Sequence, residues 1–558
     1  MTTARITTPV QPVAVSTGID RAHRKVIFAA SLGAIFEWYD FYLYGSMAAV
    51  IGKQFFAGVN DTTAFIFALL AFSAGFATRP LGALVFGRLG DLVGRKYTFL
   101  ITILIMGAAT ALVGLLPSYA SIGIAAPIIL ISLRLLQGLA IGGEYGGAAT
   151  YVAEHAPPGR RGHYTSWIQT TASGGLILSL LVILACRLLT GEHFETWGWR
   201  VPYLVSIVLL AISVYIRLQL EESPVFREIQ STGRLSKAPL REAFGQWKNL
   251  RLVVLALFGA TAGQSVVSYC SLIYMLLFLE QTLKVNSVAA NLLVAVALAV
   301  ATPFMVVFGK LSDRIGRKPP IMLGFILAAL TLFPIFRGLT HYANPAIETA
   351  QRTSPIVVLA DPQECSFQFD PIGKARFTSS CDIVKTTLAK SSVPYANQKA
   401  PAGSIAIVSI GAIQLTSFDG RNLPAAQFQA RSSEFAAQLR TQLKEAGYPT
   451  SADPQQINYP MVALLLIVIA MYGPLVYASL AAWLAELFPP RIRYTSMSLP
   501  YHIGNGWIGG FLPTVSFALI AYTGNIYQGL WYPTLIALLS LIVGGLFLRE
   551  TKDQSMTE

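Results

Sequence analysis

Twelve apolar stretches of roughly 20 residues each, the length that crosses a bilayer as a helix, constrain this chain more than any other feature. They fall at about 26–50, 64–87, 97–116, 124–150, 164–187 and 200–218, then at 252–279, 289–309, 320–340, 459–483, 496–522 and 528–548. A polar, charged connector, Glu221 to Arg251, divides them into six and six. Only 12% of the residues are charged, against about 25% in soluble domains, so a soluble globular protein is excluded. The net charge of +13 does not point to nucleic acid, because the cations sit in short loops between apolar segments.

Those loops set an orientation, since Lys and Arg collect on the cytoplasmic side. The side of the N-terminus carries Arg21, Arg24 and Lys25; Arg88, Arg95 and Lys96; Arg160 and Arg161; the connector's cations; Lys310, Arg314, Arg317 and Lys318; Arg491 and Arg493; and Arg549 and Lys552. The opposite short loops offer little beyond Lys53, Arg187, Arg200 and Lys284. Both termini are expected in the cytoplasm, with an uncleaved first helix rather than a removed signal peptide.

The two sets of six are related. Gly87–Lys96 reads GRLGDLVGRK and Gly309–Lys318 reads GKLSDRIGRK, pairing Asp91 with Asp313, Arg95 with Arg317 and Lys96 with Lys318. After the fourth segment comes AEHAPPGRRGHYTSW, and after the tenth AELFPPRIRYTSMS, pairing Glu154 with Glu486. The first pair is displaced by 222 residues and the second by 332. The extra 110 residues fall in the polar stretch 341–458, between the ninth and tenth segments and therefore outside the cytoplasm. Runs at Ile356–Leu359, Ser366–Phe369, Ile405–Ile410 and Ile413–Phe418 read as strands. Ala425–Ala446 reads as a helix with Phe428, Phe435 and Leu439 on one face. A small α+β domain is expected, with a partly disordered loop as the alternative. Cys365 and Cys381 both fall in it and are expected to form a disulfide in an oxidising compartment, or else to be free thiols. Cys186 and Cys270 lie inside spans, as packing residues.

The paired G-x-x-x-D-x-x-G-R-K hairpins resemble those of the major facilitator superfamily. FEWYDFYLYG (Phe36–Gly45), RLLQGLAIGGEYGGA (Arg134–Ala148) and AELFPPRIRYTSMSLPYHIG (Ala485–Gly504) are similar to its metabolite:H+ symporter branch, which includes dicarboxylate, citrate, shikimate and proline/betaine symporters. The resemblance covers both halves and leaves the insert out. It implies an all-α polytopic membrane protein, with twelve transmembrane helices in two pseudo-symmetric six-helix bundles and substrate at their interface. The first hairpin departs from the pattern at Leu92, where the second keeps Arg314, which suggests unequal latches. No heptad tail follows Arg549, which lowers an osmosensory reading.

Ionisable groups inside spans are costly, roughly 2.5–3.5 kcal/mol each on insertion scales, so each needs a reason. Glu37 and Asp40, at i and i+3 in the first span, are candidates for proton coupling, with Asp40 ahead. A static ion pair is the alternative. Arg134 is the natural counter-charge, and the span-four arginine has that role in the resembling family; Glu144 lies ten residues further along. Arg79 either snorkels to the interface or faces the cavity. Gln137, Tyr145, Gln169, Tyr269, His502, Asn505 and Trp507 are candidate cavity-lining groups. Asp91, Arg95, Asp313, Arg314, Arg317, Glu154 and Glu486 are candidate gating residues. Asp91 is expected to meet a cation or a helix N-terminus of the other half, with Arg95 and Lys96 doubling as topology anchors. Gly138, Gly142, Gly143, Gly146 and Gly147 give span four a small face for close packing.

The domain plan is a tail at 1–25, an N-terminal bundle at 26–219, a linker at 220–251, helices seven to nine at 252–340, the insert at 341–458, helices ten to twelve at 459–548, and a tail at 549–558. No P-loop, metal-ligand cluster or nucleophile–base constellation stands out, so neither an ATP-driven pump nor an enzyme is expected. The expectation is a proton-coupled importer of a small organic metabolite, an organic acid before a betaine, working by alternating access in a bacterial inner membrane. The proton gradient replaces any cofactor. Its partners are the substrate, H+ and the lipid bilayer, with no nucleic acid, and it functions as a monomer. The alternatives are a proton-independent facilitator and a transceptor whose insert senses a ligand.

Overall fold

The computed structural model describes residues 21–56, 61–219, 221–366, 377–391 and 393–556. Ten helical segments among the described residues are long and apolar enough to cross a membrane. The first two helices, Arg21–Ser46 and Asp61–Leu92, complete the set of twelve. Spans three to six are Arg95–Leu115, Ala125–His155, Arg161–Phe194 and Arg200–Leu218. Spans seven to twelve are Trp247–Thr282, Ser287–Ile315, Lys318–Ala343, Tyr459–Leu487, Arg493–Thr523 and Gln528–Phe547. Leu184, Leu188, Val208 and Leu546 stand exposed on their outer faces, as befits side chains that meet lipid rather than water. This is a multi-pass membrane protein.

Within the N-terminal half, span four packs on span two, and the glycines explain how closely. A Cβ on Gly138 would run into the Gly75 carbonyl, and one on Gly142 into the Arg79 carbonyl. Between the halves, span two crosses span eleven and span five crosses span eight. The opening glycine of each hairpin sits at these crossings: a Cβ on Gly87 would meet Thr495, and one on Gly309 would meet Ser166 and the Gly162 carbonyl.

Span seven is interrupted by three π-helical turns, Leu257–Thr261, Cys270–Tyr274 and Phe278–Thr282, and span eleven by one, Ile503–Gly509. Such turns loosen the i→i−4 ladder and cluster at functional sites. The two spans meet there, with Thr261 Oγ1 donating to the Pro500 carbonyl at 2.8 Å. The helix of span seven begins at Trp247, so the last residues assigned to the linker from sequence belong to it. The rest of the linker forms two short helices, Pro224–Ser231 and Pro239–Gly245.

The insert folds as an α+β unit with its own core. A four-stranded sheet has the order β2-β1-β3-β4, with β1 Ile356–Ala360, β2 Ala396–Lys399, β3 Ile407–Ile410 and β4 Ile413–Thr416. β1 pairs parallel with β2 and antiparallel with β3. Val358 and Val408 on the sheet and Phe435, Leu439 and Leu443 on the helix Ala425–Glu445 share the buried face; Phe428 packs at its margin. Sequence reasoning missed β2, whose four residues are all exposed and show no apolar alternation. It also missed the polar helix Ser380–Ser391. Residues 367–369 of the expected Ser366–Phe369 strand lie outside the described residues, and Ser366 itself is in no strand. Cys365 and Cys381 are bonded, with Cα atoms 5.2 Å apart, while Cys186 and Cys270 are buried and free.

The insert docks on the C-terminal half at the ends remote from the hairpins. The Tyr395 N–H donates to the Gly524 carbonyl at 3.0 Å and Asn397 Nδ2 to the Thr523 carbonyl at 2.8 Å. The Ala452 N–H donates to the Lys284 carbonyl at 2.9 Å. Maleimide is expected to label neither Cys365 nor Cys381 before reduction and both after it. Replacing both with serine should destabilise the insert by about 3 kcal/mol, the loop-closure value for so short a loop, read as faster proteolysis within 341–458.

Candidate functional site: a two-fold latch and a buried polar cavity

At the hairpin face, the first turn of a helix leaves backbone N–H groups without intrahelical partners and carries a partial positive charge. Each motif aspartate exploits this in the opposite half. Asp91 accepts from the N–H groups of Tyr494 (3.3 Å) and Thr495 (2.9 Å), which open span eleven. Asp313 accepts from those of Gly162 and His163, both at 2.8 Å, which open span five. The motif arginine steadies each aspartate from one turn on, Arg95 to Asp91 at 3.3 Å and Arg317 to Asp313 at 2.5 Å.

A second layer repeats the symmetry. Glu154 lies between Arg95 of its own half (3.6 Å) and Arg493 of the other (2.8 Å). Glu486 lies between Arg317 of its own half (3.0 Å) and Arg161 of the other (3.3 Å). All six of these residues are buried, so every charge relies on its partners.

A third layer was not anticipated from sequence. Glu222 accepts from the N–H groups of Arg95 and Lys96, both at 3.1 Å. Glu550 accepts from those of Arg317 (2.8 Å) and Lys318 (3.0 Å). The next residue in each case, Ser223 or Thr551, donates its hydroxyl to Glu154 or Glu486 respectively. Burial pushes the Glu550 carboxyl up, but N–H donors from Arg317, Lys318, Thr551 and Lys552 outweigh it and hold it below its usual range. Its contribution is therefore present at neutral pH and lost as pH falls through that lowered value. Gly94 and Gly316 turn the chain into these caps at φ 126° and 108°, the left-handed region that favours glycine. A Cβ at either would strike the capping carboxylate. The legible signal was a Glu-Ser or Glu-Thr pair just after the sixth and twelfth spans.

Deeper in the N-terminal half lies a cavity of about 40 Å³ lined by Glu37, Trp38, Phe41, Arg79, Glu144 and Tyr145 among others. Arg79 is buried, with its guanidinium 4.8 Å from the Phe41 ring centre and 4.3 Å from that of Phe76. Its Nε and Nη2 have no hydrogen-bond partner among the described residues. The Tyr269 hydroxyl lies beside it. Both carboxylate oxygens of Glu144 also lack a hydrogen bond among the described residues, as do both ring nitrogens of buried His502. Tyr145 stacks on Tyr501 of the other half, with ring centres 3.4 Å apart, and accepts from Gln169 Nε2 at 2.9 Å.

The chain matches the Major Facilitator Superfamily domain over residues 30–341, ending where the insert begins. It belongs to the major facilitator superfamily. The proline/betaine transporter of Salmonella typhimurium is 38% identical over 327 residues, 56% of this chain and 64% of that protein. The glycine betaine/proline/ectoine/pipecolic acid transporter of Dickeya dadantii is 40% identical over 342 residues, 59% of this chain and 67% of that protein. The match thus spans about two thirds of these relatives' length. A solved structure of the superfamily's proton:xylose symporter XylE shares the fold, with a TM-score of 0.60 at 14% identity, over 96% of this chain and 98% of that one.

Within this superfamily fold, several sequence expectations need correction. Arg134 forms no salt bridge with Glu37 or Asp40 among the described residues, although its charge acts on Asp40: its guanidinium lies 3.8 Å from the Tyr44 ring centre and donates to Gln137. Glu37 pairs instead with Arg217 of span six at 2.5 Å, and Glu144 with the same arginine at 3.5 Å. Arg217, at the end of its span, was not among the residues singled out from sequence. Asp40 accepts from Ser206 Oγ at 2.6 Å, so the two span-one carboxylates have separate partners. Arg79 does not snorkel. Gln137 spends its amide on Arg134 and Thr110, and Asn505 pairs with Gln264 at 3.1 Å. Trp507 is 44% exposed. Arg314 is exposed too, outside the latch, so the Leu92–Arg314 difference does not make the latches unequal. Arg95 is fully buried, a latch residue rather than an interface anchor.

Glu154→Gln leaves buried Arg493 without its carboxylate and Arg95 with Asp91 alone. Breaking a buried pair from one side typically destabilises by about 3–5 kcal/mol. The variant is expected to melt well below wild type, Glu486→Gln likewise, and Arg314→Gln not at all, by thermal unfolding in detergent.

Proposed function

We propose that this protein is a proton-coupled symporter that imports a small carboxylate-bearing metabolite by alternating access, in a bacterial inner membrane with both termini in the cytoplasm. The observation that carries the reading is Arg79, a buried guanidinium whose Nε and Nη2 lack a hydrogen-bond partner among the described residues, bordering a cavity of the N-terminal half with Tyr269 of the other half beside it. A substrate carboxylate would satisfy it, and charge-assisted bonds to a guanidinium are the strong kind. Trp38, Phe41 and Tyr145 in the same wall offer π faces to a cationic end. Together with the names of the relatives, this favours a zwitterion of the proline or betaine type over a simple organic acid.

Asp40 is the proton carrier in this reading, with Glu37 as its neighbour. Arg217 is shared between Glu37 and Glu144, so a proton arriving at Glu37 frees that cation to close on Glu144. The change redistributes charge among spans one, four and six. Arg134 shapes the site through Gln137 and Tyr44 rather than by ion pairing. The latch holds the cytoplasmic side shut, and its release lets the halves rock about the cavity.

Glycine betaine uptake is expected to collapse with an uncoupler; undiminished uptake would favour a facilitator. Asp40→Asn should abolish uphill accumulation while leaving exchange across vesicles intact. Arg79→Gln should weaken substrate binding by about 1.5–3 kcal/mol, the range for a hydrogen bond to a charged group. Asp91→Asn should expose cytoplasmic cavity positions to thiol reagents in engineered-cysteine variants with little change in substrate affinity. Unchanged accessibility would remove the gating role.

A further inference from the structure

Between the long insert helix Ala425–Glu445 and the end of span seven lies a cleft of about 450 Å³, lined by Glu280, Lys284, Ser391, Arg440, Lys444 and Tyr448 among others. Three cations surround it and a single carboxylate. Glu280 accepts from Asn291 Nδ2 at 2.8 Å, and none of the three cations forms an ion pair among the described residues. Lys284 Nζ reaches only the Pro449 carbonyl, at 3.1 Å, and burial lowers its pKa with no anion to oppose the shift. Arg440 and Lys444 are one turn apart on the same helix, a like-charge spacing that is mildly destabilising unless something offsets it. The site is held in place from both sides: the Ala452 N–H donates to the Lys284 carbonyl at 2.9 Å, and Tyr448 Oη donates to the Ser354 carbonyl at 2.9 Å.

We propose that this cleft binds an oxyanion, with Arg440 and Lys444 of the insert and Lys284 of the loop that follows span seven as its cationic ligands. The carboxylates of a small soluble polyanion fit these charges, and so does the phosphate of an anionic lipid headgroup at the outer membrane surface. In either case the occupant ties the insert to the last π-helical turn of span seven, Phe278–Thr282. Occupancy is thereby linked to a helix that lines the seam between the halves. The site does not depend on what Arg79 binds.

Citrate is the soluble probe, titrated calorimetrically into the full-length protein in neutral detergent. Saturable binding is expected, weakened about tenfold or more by Arg440→Gln with Lys444→Gln and retained in Arg79→Gln, which disables the transport cavity alone. Lipid discs with and without phosphatidylglycerol form the second arm. If citrate does not bind, but phosphatidylglycerol raises the melting midpoint of wild type and not of the double variant, the headgroup is the occupant and the site stands. Citrate binding that the double variant leaves unchanged overturns the proposal. So does a failure of both probes. Both substitutions are at exposed helix positions, and an unaltered maleimide pattern at Cys365 and Cys381 checks that the insert is folded.

Discussion

Asp91 and Asp313 each accept two backbone N–H bonds from the first turn of a helix in the opposite half, and the closed hairpin face depends on these four bonds. A helix N-terminus offers donors in a fixed geometry, so the contact is directional in a way that apolar packing is not. It is also reversible: when the halves part, both the carboxylates and the freed N–H groups can turn to water. The surrounding cations, Arg95 and Arg317, keep each aspartate aimed. In the Glu154 and Glu486 layer each carboxylate is shared between an arginine of its own half and one of the other.

The cavity follows a different logic. In the latch, every charge is matched. Around the cavity, Arg79 presents Nε and Nη2 without a hydrogen-bond partner among the described residues, and buried polar atoms left unpaired are destabilising. The aromatic rings of Trp38, Phe41, Tyr145 and Tyr501 hold these groups in a fixed arrangement. In the other half, the π-helical turns of spans seven and eleven lie close to the bond between Thr261 and Pro500.

Hydropathy and the internal repeat made most of the fold legible. The spans are long and apolar, and a duplicated motif flags equivalent positions whatever its chemistry. The 110-residue difference in offset located the insert because an insertion disturbs the register of everything after it. Pairings were harder to read. Glu37 was visible as a costly charge, but nothing in the chain says that Arg217, 180 residues away, is its partner rather than Arg134. Arg314 looked like a latch residue because it sits in the motif, yet helical periodicity turns it outward while Asp313 and Arg317, at i and i+4, face the seam. β2 escaped because an exposed edge strand needs no apolar alternation.

The positions of Glu222 and Glu550 bear on how the molecule is assembled during synthesis. Asp91 waits for donors 403 and 404 residues further along the chain, and the Arg317 cap waits for Glu550, which leaves the ribosome after all twelve spans. The N-terminal hairpin, by contrast, receives its own cap from Glu222 soon after the sixth span. An N-terminal bundle can therefore settle into the membrane with its hairpin ordered but its acidic face unclaimed. The contacts of Asp313 with span five and of Asp91 with span eleven can form before the segment beyond span twelve finishes the second cap. The order of synthesis therefore places completion of the second cap last.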